Sequence, residues 1–202
     1  MSTTATSGVP GEERRGLILV DVQPTFCEGG ALPSPGANAV SERVARYVRE
    51  RGARYAAVVT TQDWHIDPGD HFSDDPDFVD TWPPHGIAGT PEAELHPALE
   101  GLRFDASVKK GQYAAAYSGF EGTDDGGRTL EKVLRDFAVT AVDVVGLVES
   151  HCVKETALDA HELGFATRVL TDLTVPVSPE LGALARERMT EAGVELAESD
   201  LG

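Results

Sequence analysis

The sequence predicts an α/β protein with a three-layer α/β/α architecture, in which helices cover both faces of a mostly parallel central sheet. Strand-length apolar runs alternate with helix-length amphipathic segments from residue 16 to residue 197. Crossovers long enough to hold a helix imply parallel neighbours. The first run, GLILVDV at 16–22, is continuously apolar rather than alternating, as expected of a central strand buried on both faces. The chain of 202 residues is long enough to bury one substantial core.

After that first strand, ANAVSERVARYVRERG at 37–52 places Val40, Val44, Tyr47 and Val48 on one helical face, with Gly52 as a stop. RYAAVVTT at 54–61 reads as the second strand, and a stretch rich in Asp, Pro, Gly and His with little periodicity follows to about 101. ASVKKG at 106–111 predicts a strand, and TLEKVLRDF at 129–137 a helix in which Leu130, Val133, Leu134 and Phe137 share a face. AVDVVGLV at 141–148 is a further strand, followed by a helix over HCVKETALDAHELG at 151–164. ATRVLTD, PELGALARERMTEAG and VELA complete the pattern as strand, helix and short final strand. Residues 1–14 read as a flexible N-terminal tail and 15–202 as a single domain, with neither internal repeat nor dividing linker.

Composition excludes several classes of partner. A formal net charge of -17 disfavours nucleic acid and anionic membrane surfaces. No stretch approaches the roughly 20 apolar residues of a membrane span. The N-terminus lacks the apolar region of a secretory signal, so a cytoplasmic address is expected. Two cysteines, Cys27 and Cys152, make no disulfide framework and are weighed singly.

Sites in open α/β sheets form beyond the carboxyl ends of the strands. Asp21 ends the first strand, Asp63 and Lys110 follow the next two, and Cys152 stands where a strand gives way to a helix. There, unsatisfied N–H groups and the helix dipole favour a thiolate and can serve an oxyanion. A carboxylate such as Asp21 could take the thiol proton and Lys110 could stabilise the anion. A small buried apolar residue is the competing reading for Cys152, and the favoured one for Cys27.

TTQDWHIDPGDHFSD, residues 60–74, holds two histidines and four aspartates. Asp63 and His65 project from one side of an extended segment. The DPGD turn can return His71 toward them, and His85 sits in the proline-stiffened WPPHG. Three imidazoles and a carboxylate suit Zn, Fe(II) or Mn(II). Spacing alone leaves solvated loop histidines as an equal alternative. Asp67 and Asp70 read as turn-formers, and His96 and His161 as surface residues.

Five segments resemble, in order, the signatures of the nicotinamidase/pyrazinamidase group of the isochorismatase-like cysteine hydrolases. They are ILVDVQPTFCEGG, QDWHIDPGDHF, WPPHGIAGT, KGQYAAAYSGFEG and VVGLVESHCVKETALDA. The resemblance implies the isochorismatase-like fold and hydrolysis of nicotinamide, and also of pyrazinamide, through a cysteine thioester in NAD salvage. It implies Asp21, Lys110 and Cys152 as the catalytic triad and the N–H groups of Val148 and Cys152 as oxyanion hole. Asp63, His65, His71 and His85 would hold one divalent metal ion, and Phe26, Trp82 and Tyr117 would enclose the ring. A cis peptide is implied at Leu147–Val148. The partner expected is a small amide, with no nucleic acid or membrane, in a monomer or homo-oligomer.

The chain departs from that pattern at Pro24-Thr25, where many members have Asn-Asp, and at Glu149-Ser150, in place of Thr-Asp. A cysteine hydrolase of carbamoyl or ureido substrates would share the triad without needing the histidines. A non-catalytic metal-binding protein on this fold would not need the triad.

Overall fold

The computed structural model describes residues 13–201. Most of the N-terminal segment read as a tail, residues 1–12, therefore lies outside the described residues. Among the described residues, six strands, β1 (Arg15–Val20), β2 (Ala57–Asp63), β3 (Ala106–Lys110), β4 (Ala141–Leu147), β5 (Ala166–Val175) and β6 (Glu195–Ala197), form one sheet in the order β3-β2-β1-β4-β5-β6. Every pairing is parallel. Four α-helices, α1 (Ala37–Arg51), α2 (Leu130–Asp136), α3 (Lys154–Glu162) and α4 (Pro179–Ala192), complete the layers.

The continuous apolar runs divide by parity. Ile18, Val20, Val142 and Val144 point into a core shared with Leu130, Val133 and Leu134 of α2, Ala157 and Ala160 of α3 and Met189 of α4. Leu17, Leu19, Val145 and Leu147 point the other way, onto Val40, Val44 and Val48 of α1. Leu99, from the long segment between β2 and β3, helps cover that second face. A sheet buried on both sides needs apolar residues at both parities, which is why the runs do not alternate.

Local chemistry sets the ends of the elements. Ser178 accepts from the Leu181 N–H at 3.2 Å and Pro179 occupies the first turn of α4. Glu28 caps α1 from outside, accepting from Gly36 and Asn38 N–H at 2.6 and 2.9 Å. β2 starts at Ala57, later than the sequence pattern suggests, because Gly52–Arg54 adds a 3₁₀ turn after α1. β5 runs on to Val175. No described helix is long and apolar enough to cross a membrane.

Between β1 and β4 the connections depart in opposite directions, so their carboxyl ends leave a crevice. The β4–β5 pairing shifts register between Val144 and Gly146, where the partner residue on β5 advances from Val169 to Thr174. A Cβ at Gly146 (φ 113°) would lie 2.1 Å from Val20 O, so only glycine allows the two strands this approach just below Asp21.

A polar knot sits deeper in the sheet. Asp143 is fully buried and accepts from Arg15 Nη1 at 2.7 Å, Arg168 Nη2 at 2.8 Å and Tyr55 OH at 2.6 Å. Asp143→Ala is expected to cost about 2–4 kcal/mol, below the ~3–5 of a wholly buried pair because the arginines reach solvent. Thermal unfolding should then move down by roughly 4–16 °C. An unchanged midpoint would show that both guanidiniums re-solvate freely.

Candidate active site

The residues singled out at the strand ends converge. Asp21 follows β1 in the left-handed region (φ 47°), while Asp63 and Lys110 are the last residues of β2 and β3. Cys152 lies in a π-helical turn, Glu149–Val153, interposed between β4 and α3. The expected simple helix start is therefore replaced by a wider turn, with α3 proper beginning at Lys154. The Leu147–Val148 peptide that precedes the turn is cis.

Lys110 is the hub. Its ammonium, 1% exposed, lies 3.0 Å from Asp21 Oδ2, 3.7 Å from Cys152 Sγ and 3.2 Å from the Ala116 carbonyl, and it also bonds Asp63 Oδ1. Neighbouring Lys109 points away, as strand alternation requires: it pairs with Asp125 at 3.1 Å and lies over the Trp64 ring.

The carboxylates around Lys110 are held differently. Burial pushes Asp21 above the ordinary carboxylate range, and the pull of Lys110 only partly offsets it. Thr61 fixes its orientation, donating to Oδ1 at 2.6 Å. Burial also pushes at Asp63, but Lys110 and the histidines overcome it and hold this group below the usual range. Burial pulls on the Lys110 ammonium too, yet Asp21, Asp63 and Cys152 together keep it well above the ordinary lysine value. The Cys152 thiol is raised well above its usual value, by burial first and despite Lys110. At neutral pH the site thus holds a thiol, an ammonium and one firmly ionised carboxylate. Asp21 is the carboxylate with the appetite for a proton.

The second half of the site lies across Asp63. The His65, His71 and His85 rings form a triangle with centroids 4.9, 5.2 and 5.4 Å apart. His65 Nδ1 lies 2.6 Å from the Gly111 carbonyl and His85 Nδ1 2.8 Å from that of Pro83. A carbonyl only accepts, so each ring carries a proton at Nδ1 and turns Nε2 inward. Those two Nε2 atoms sit 3.6 and 3.7 Å from Asp63 Oδ2. His65 Nε2 and His71 Nδ1 are buried without a partner. Burial depresses His71, and depresses His85 to about 4, so both are neutral donors at pH 7.

Buried imidazole nitrogens without a partner, grouped beside an ionised carboxylate in a dry site, are costly unless a cation lies among them. His65, His71 and His85 bring ligand atoms within 4.8 Å of one another, and with Asp63 Oδ2 beside two of them the donors suit a divalent metal ion. Its frame is built from the loops: parallel bridges join His65 to Ile87 and Phe72 to Trp82. Gln23 grips Asp63 by accepting from its N–H and donating to its carbonyl, both at 2.9 Å.

A cavity of about 400 Å³ opens over Cys152. Phe26, Trp82 and Tyr117 line it, and Trp82 Nε1 donates to Tyr117 OH at 2.9 Å. His151, which the sequence reading passed over as one half of an HC pair, also lines it, edge-on to Trp82 with centroids 5.5 Å apart. Its adjacency to Cys152 was the available signal.

The other candidates fall outside the site. Cys27 is 2% exposed in the α1-side core, with Sγ 3.4 Å from the Gln23 carbonyl. Asp67 is exposed and accepts from Gly69 N–H at 3.4 Å, a turn role, and Asp70 is exposed. His96 and His161, expected at the surface, are instead half-buried. His96 accepts from Ala98 N–H and meets Asn38, capping the short Pro97–Leu99 turn. His161 lies on α3 with its Nδ1 enclosed. The departure at Thr25 has a partner as well, since Gly86 N–H donates to its hydroxyl at 3.1 Å, beside His85.

This fold and site belong to a known class of hydrolase: the chain belongs to the isochorismatase family, whose domain matches residues 15–200. Within it, the chain falls with the nicotinamidases and pyrazinamidases. It is 50% identical over 182 residues to the nicotinamidase/pyrazinamidase of Mycobacterium tuberculosis, covering 90% of this chain and 97% of that protein. The pyrazinamidase of Pyrococcus horikoshii, solved in complex with zinc, superposes with a TM-score of 0.78 at 34% identity, covering 92% of this chain and 99% of the other. PnC1 of L. infantum, solved in complex with nicotinate, gives 0.77 at 30% identity and 92% of both chains.

Gly111 (φ +71°) provides a test of the metal half, because a Cβ there would lie 2.5 Å from His65 Cε1. Gly111→Ala and His85→Ala are both expected to weaken zinc binding by at least ~10-fold, measured by equilibrium dialysis and metal analysis. Wild-type affinity in the Gly111 variant would remove His65 from the ligand set.

Proposed function

We propose that the protein is a nicotinamide amidohydrolase, producing nicotinate and ammonia, that also accepts pyrazinamide. One observation carries this reading: the cavity over Cys152 is also lined by Asp63, His71 and His85, so it joins the cysteine of a Cys–Asp–Lys cluster suited to acyl transfer to a triangle of histidines suited to a metal ion, with Asp63 between the two. The names of the M. tuberculosis and P. horikoshii relatives, and the nicotinate bound to the L. infantum protein, support it. A carbamoyl or ureido hydrolase would have no use for the imidazole triangle.

In this reading Asp21 takes the proton from Cys152 Sγ as sulfur attacks the carboxamide carbon. The transfer moves one negative charge from oxygen to sulfur around a fixed ammonium, so Lys110 stabilises the anion before and after. The carbonyl electrons move onto oxygen, toward the N–H groups of Val148 and Cys152. The intermediate collapses with cleavage of the C–N bond, Asp21 returns its proton to the departing nitrogen, and ammonia leaves a thioester. Asp21 then draws a proton from water, which attacks the thioester carbon. This second intermediate collapses with cleavage of the C–S bond, Asp21 returns the proton to the departing sulfur to restore the thiol, and the acid released loses its own proton to solvent as nicotinate. Asp63, His65, His71 and His85 would hold a divalent ion, Zn, Fe(II) or Mn(II), which when bound supplies a coordination point for the pyridine nitrogen. Phe26, Trp82 and Tyr117 would sandwich the ring and exclude water. We place the enzyme in nicotinamide recycling toward NAD in the cytoplasm, with residues 15–202 as the working domain.

Cys152→Ala should abolish ammonia release while the fold persists, and iodoacetamide should label Cys152 ahead of Cys27. Lys110→Ala and Asp21→Ala should each lose orders of magnitude, with the double variant little worse, since groups acting as a unit are non-additive. Lys109→Ala should match wild type. Equal damage from both lysine variants would remove Lys110 from its role. Benzamide keeps the scissile bond and ring shape but lacks the ring nitrogen. Its kcat/KM in zinc-loaded enzyme should fall far below that of nicotinamide, toward the ~10⁴-fold of sites built around a polar partner. Comparable values would sink ring coordination while leaving the acyl-transfer chemistry standing.

A further inference from the structure

The turn that carries Cys152 contains an unusual buried charge. Glu149, three residues before the nucleophile, is completely buried. Its partner comes from α4: Arg186 Nε reaches Oε1 at 2.8 Å and Nη2 reaches Oε2 at 3.1 Å, a fork matched to both carboxylate oxygens. The Arg186 side chain keeps 46% of its exposure, so this ion pair joins the floor of the turn to solvent. α4 comes close here, since a Cβ on Gly182 would lie 2.8 Å from Pro176 Cγ and 3.4 Å from Glu149 Oε1.

The next residue makes a second tie to the same neighbour. Ser150 Oγ accepts from the Val177 N–H at 3.2 Å and lies 3.0 Å from His151 Nδ1. Glu149 and Ser150 are the two positions at which this turn departs from the pattern the chain otherwise resembles. Both lean on the segment from Val177 to Arg186. Neither residue lines the cavity over Cys152.

We infer that Arg186 is a positioning residue for the reaction at Cys152, acting through Glu149. Two physical effects follow from the fork. It fixes the rotation of the π-helical turn, and with it the Cys152 N–H and Sγ, against α4. It also neutralises a carboxylate that would otherwise lie buried in the turn where negative charge must develop on sulfur and on the substrate oxygen. Removing the guanidinium leaves that carboxylate dry and unpaired, so the turn must shift to rehydrate it.

This inference rests on the amidohydrolase reading for its kinetic test and on cysteine chemistry alone for a second one. Arg186→Ala is expected to lower kcat for nicotinamide by about 10- to 100-fold, less than the ~10²–10³ of deleting an oxyanion donor outright. KM should change much less than kcat, because Phe26, Trp82 and Tyr117 of the cavity wall lie outside the turn that Arg186 holds. A shallow groove beside Arg186, lined by Pro176, Gly182 and Ala183, leaves room for a small cation. Methylguanidinium, well below denaturing concentration, should therefore restore activity to Arg186→Ala and leave wild type unaffected. In the double variant Glu149→Gln/Arg186→Met there is no carboxylate to neutralise. That variant should exceed Arg186→Ala in kcat and gain nothing from methylguanidinium. The rate at which iodoacetamide alkylates Cys152 should follow the same order with the same rescue.

A folded Arg186→Ala with wild-type kcat and alkylation rate overturns the inference. So does a loss that neither methylguanidinium nor the double variant relieves, since that is the behaviour of a merely structural residue. If Arg186→Ala fails to fold, the comparison of the double variant with wild type decides, and a double variant unable to retain the turnover of the clamped turn within about 100-fold overturns the charge effect. Absence of any amide hydrolysis by wild type fails the functional reading instead, and the alkylation series still tests Arg186.

Discussion

The site is organised around one buried ammonium. Lys110 cannot be left unpaired at 1% exposure, and the groups that satisfy it come from the ends of β1 and β2, the segment after β3 and the turn after β4. Each of those elements is held in register by the parallel sheet, so the charge is neutralised only when the sheet has its native order. The ammonium thereby couples correct folding to a correct constellation. The two carboxylates that share it are held differently, because the histidines act on Asp63 as well while burial dominates at Asp21. Asp63 is held ionised and Asp21 is left receptive.

Asp63 belongs to both halves of the cleft. One of its oxygens meets Lys110 and the other faces the inward nitrogens of His65 and His85. A cation held among the histidines would therefore draw on the end of this carboxylate opposite the one that meets the Lys110 ammonium. That sharing explains why Gln23 grips the Asp63 backbone on both its N–H and its carbonyl. A small tilt of this residue would disturb both clusters at once. The cavity walls are otherwise apolar and aromatic, which keeps these charges in a low-dielectric setting where they act strongly.

The turn bearing Cys152 shows how a buried charge and a buried hydroxyl are accommodated by neighbouring elements. Glu149 and Ser150 put a charge and a hydroxyl where they would be expensive alone. α4 and the segment leading to it answer each one, with Arg186 and the Val177 N–H respectively. Thr25 is answered in the same way by the Gly86 N–H beside His85.

The sequence by itself determined the order of strands and helices, the parallel sheet covered on both faces and the chemical identity of the strand-end residues. These are local properties: apolar periodicity, capping residues and the residue type at the end of a run survive without knowledge of distant contacts. Resemblance then implied roles for Asp21, Lys110, Cys152 and the histidines, which spacing had left balanced against blander readings. Only the tertiary structure decided how the aperiodic stretch between β2 and β3 folds back. Its bridges from His65 to Ile87 and from Phe72 to Trp82 depend on partners remote in sequence. The same holds for the wide turn at Glu149–Val153, which reads locally as a helix start but is shaped by α4. His96, His161 and the Glu149–Arg186 fork were illegible for one reason: burial and pairing are set by what packs against a residue, and nothing in its own neighbourhood of the chain records that.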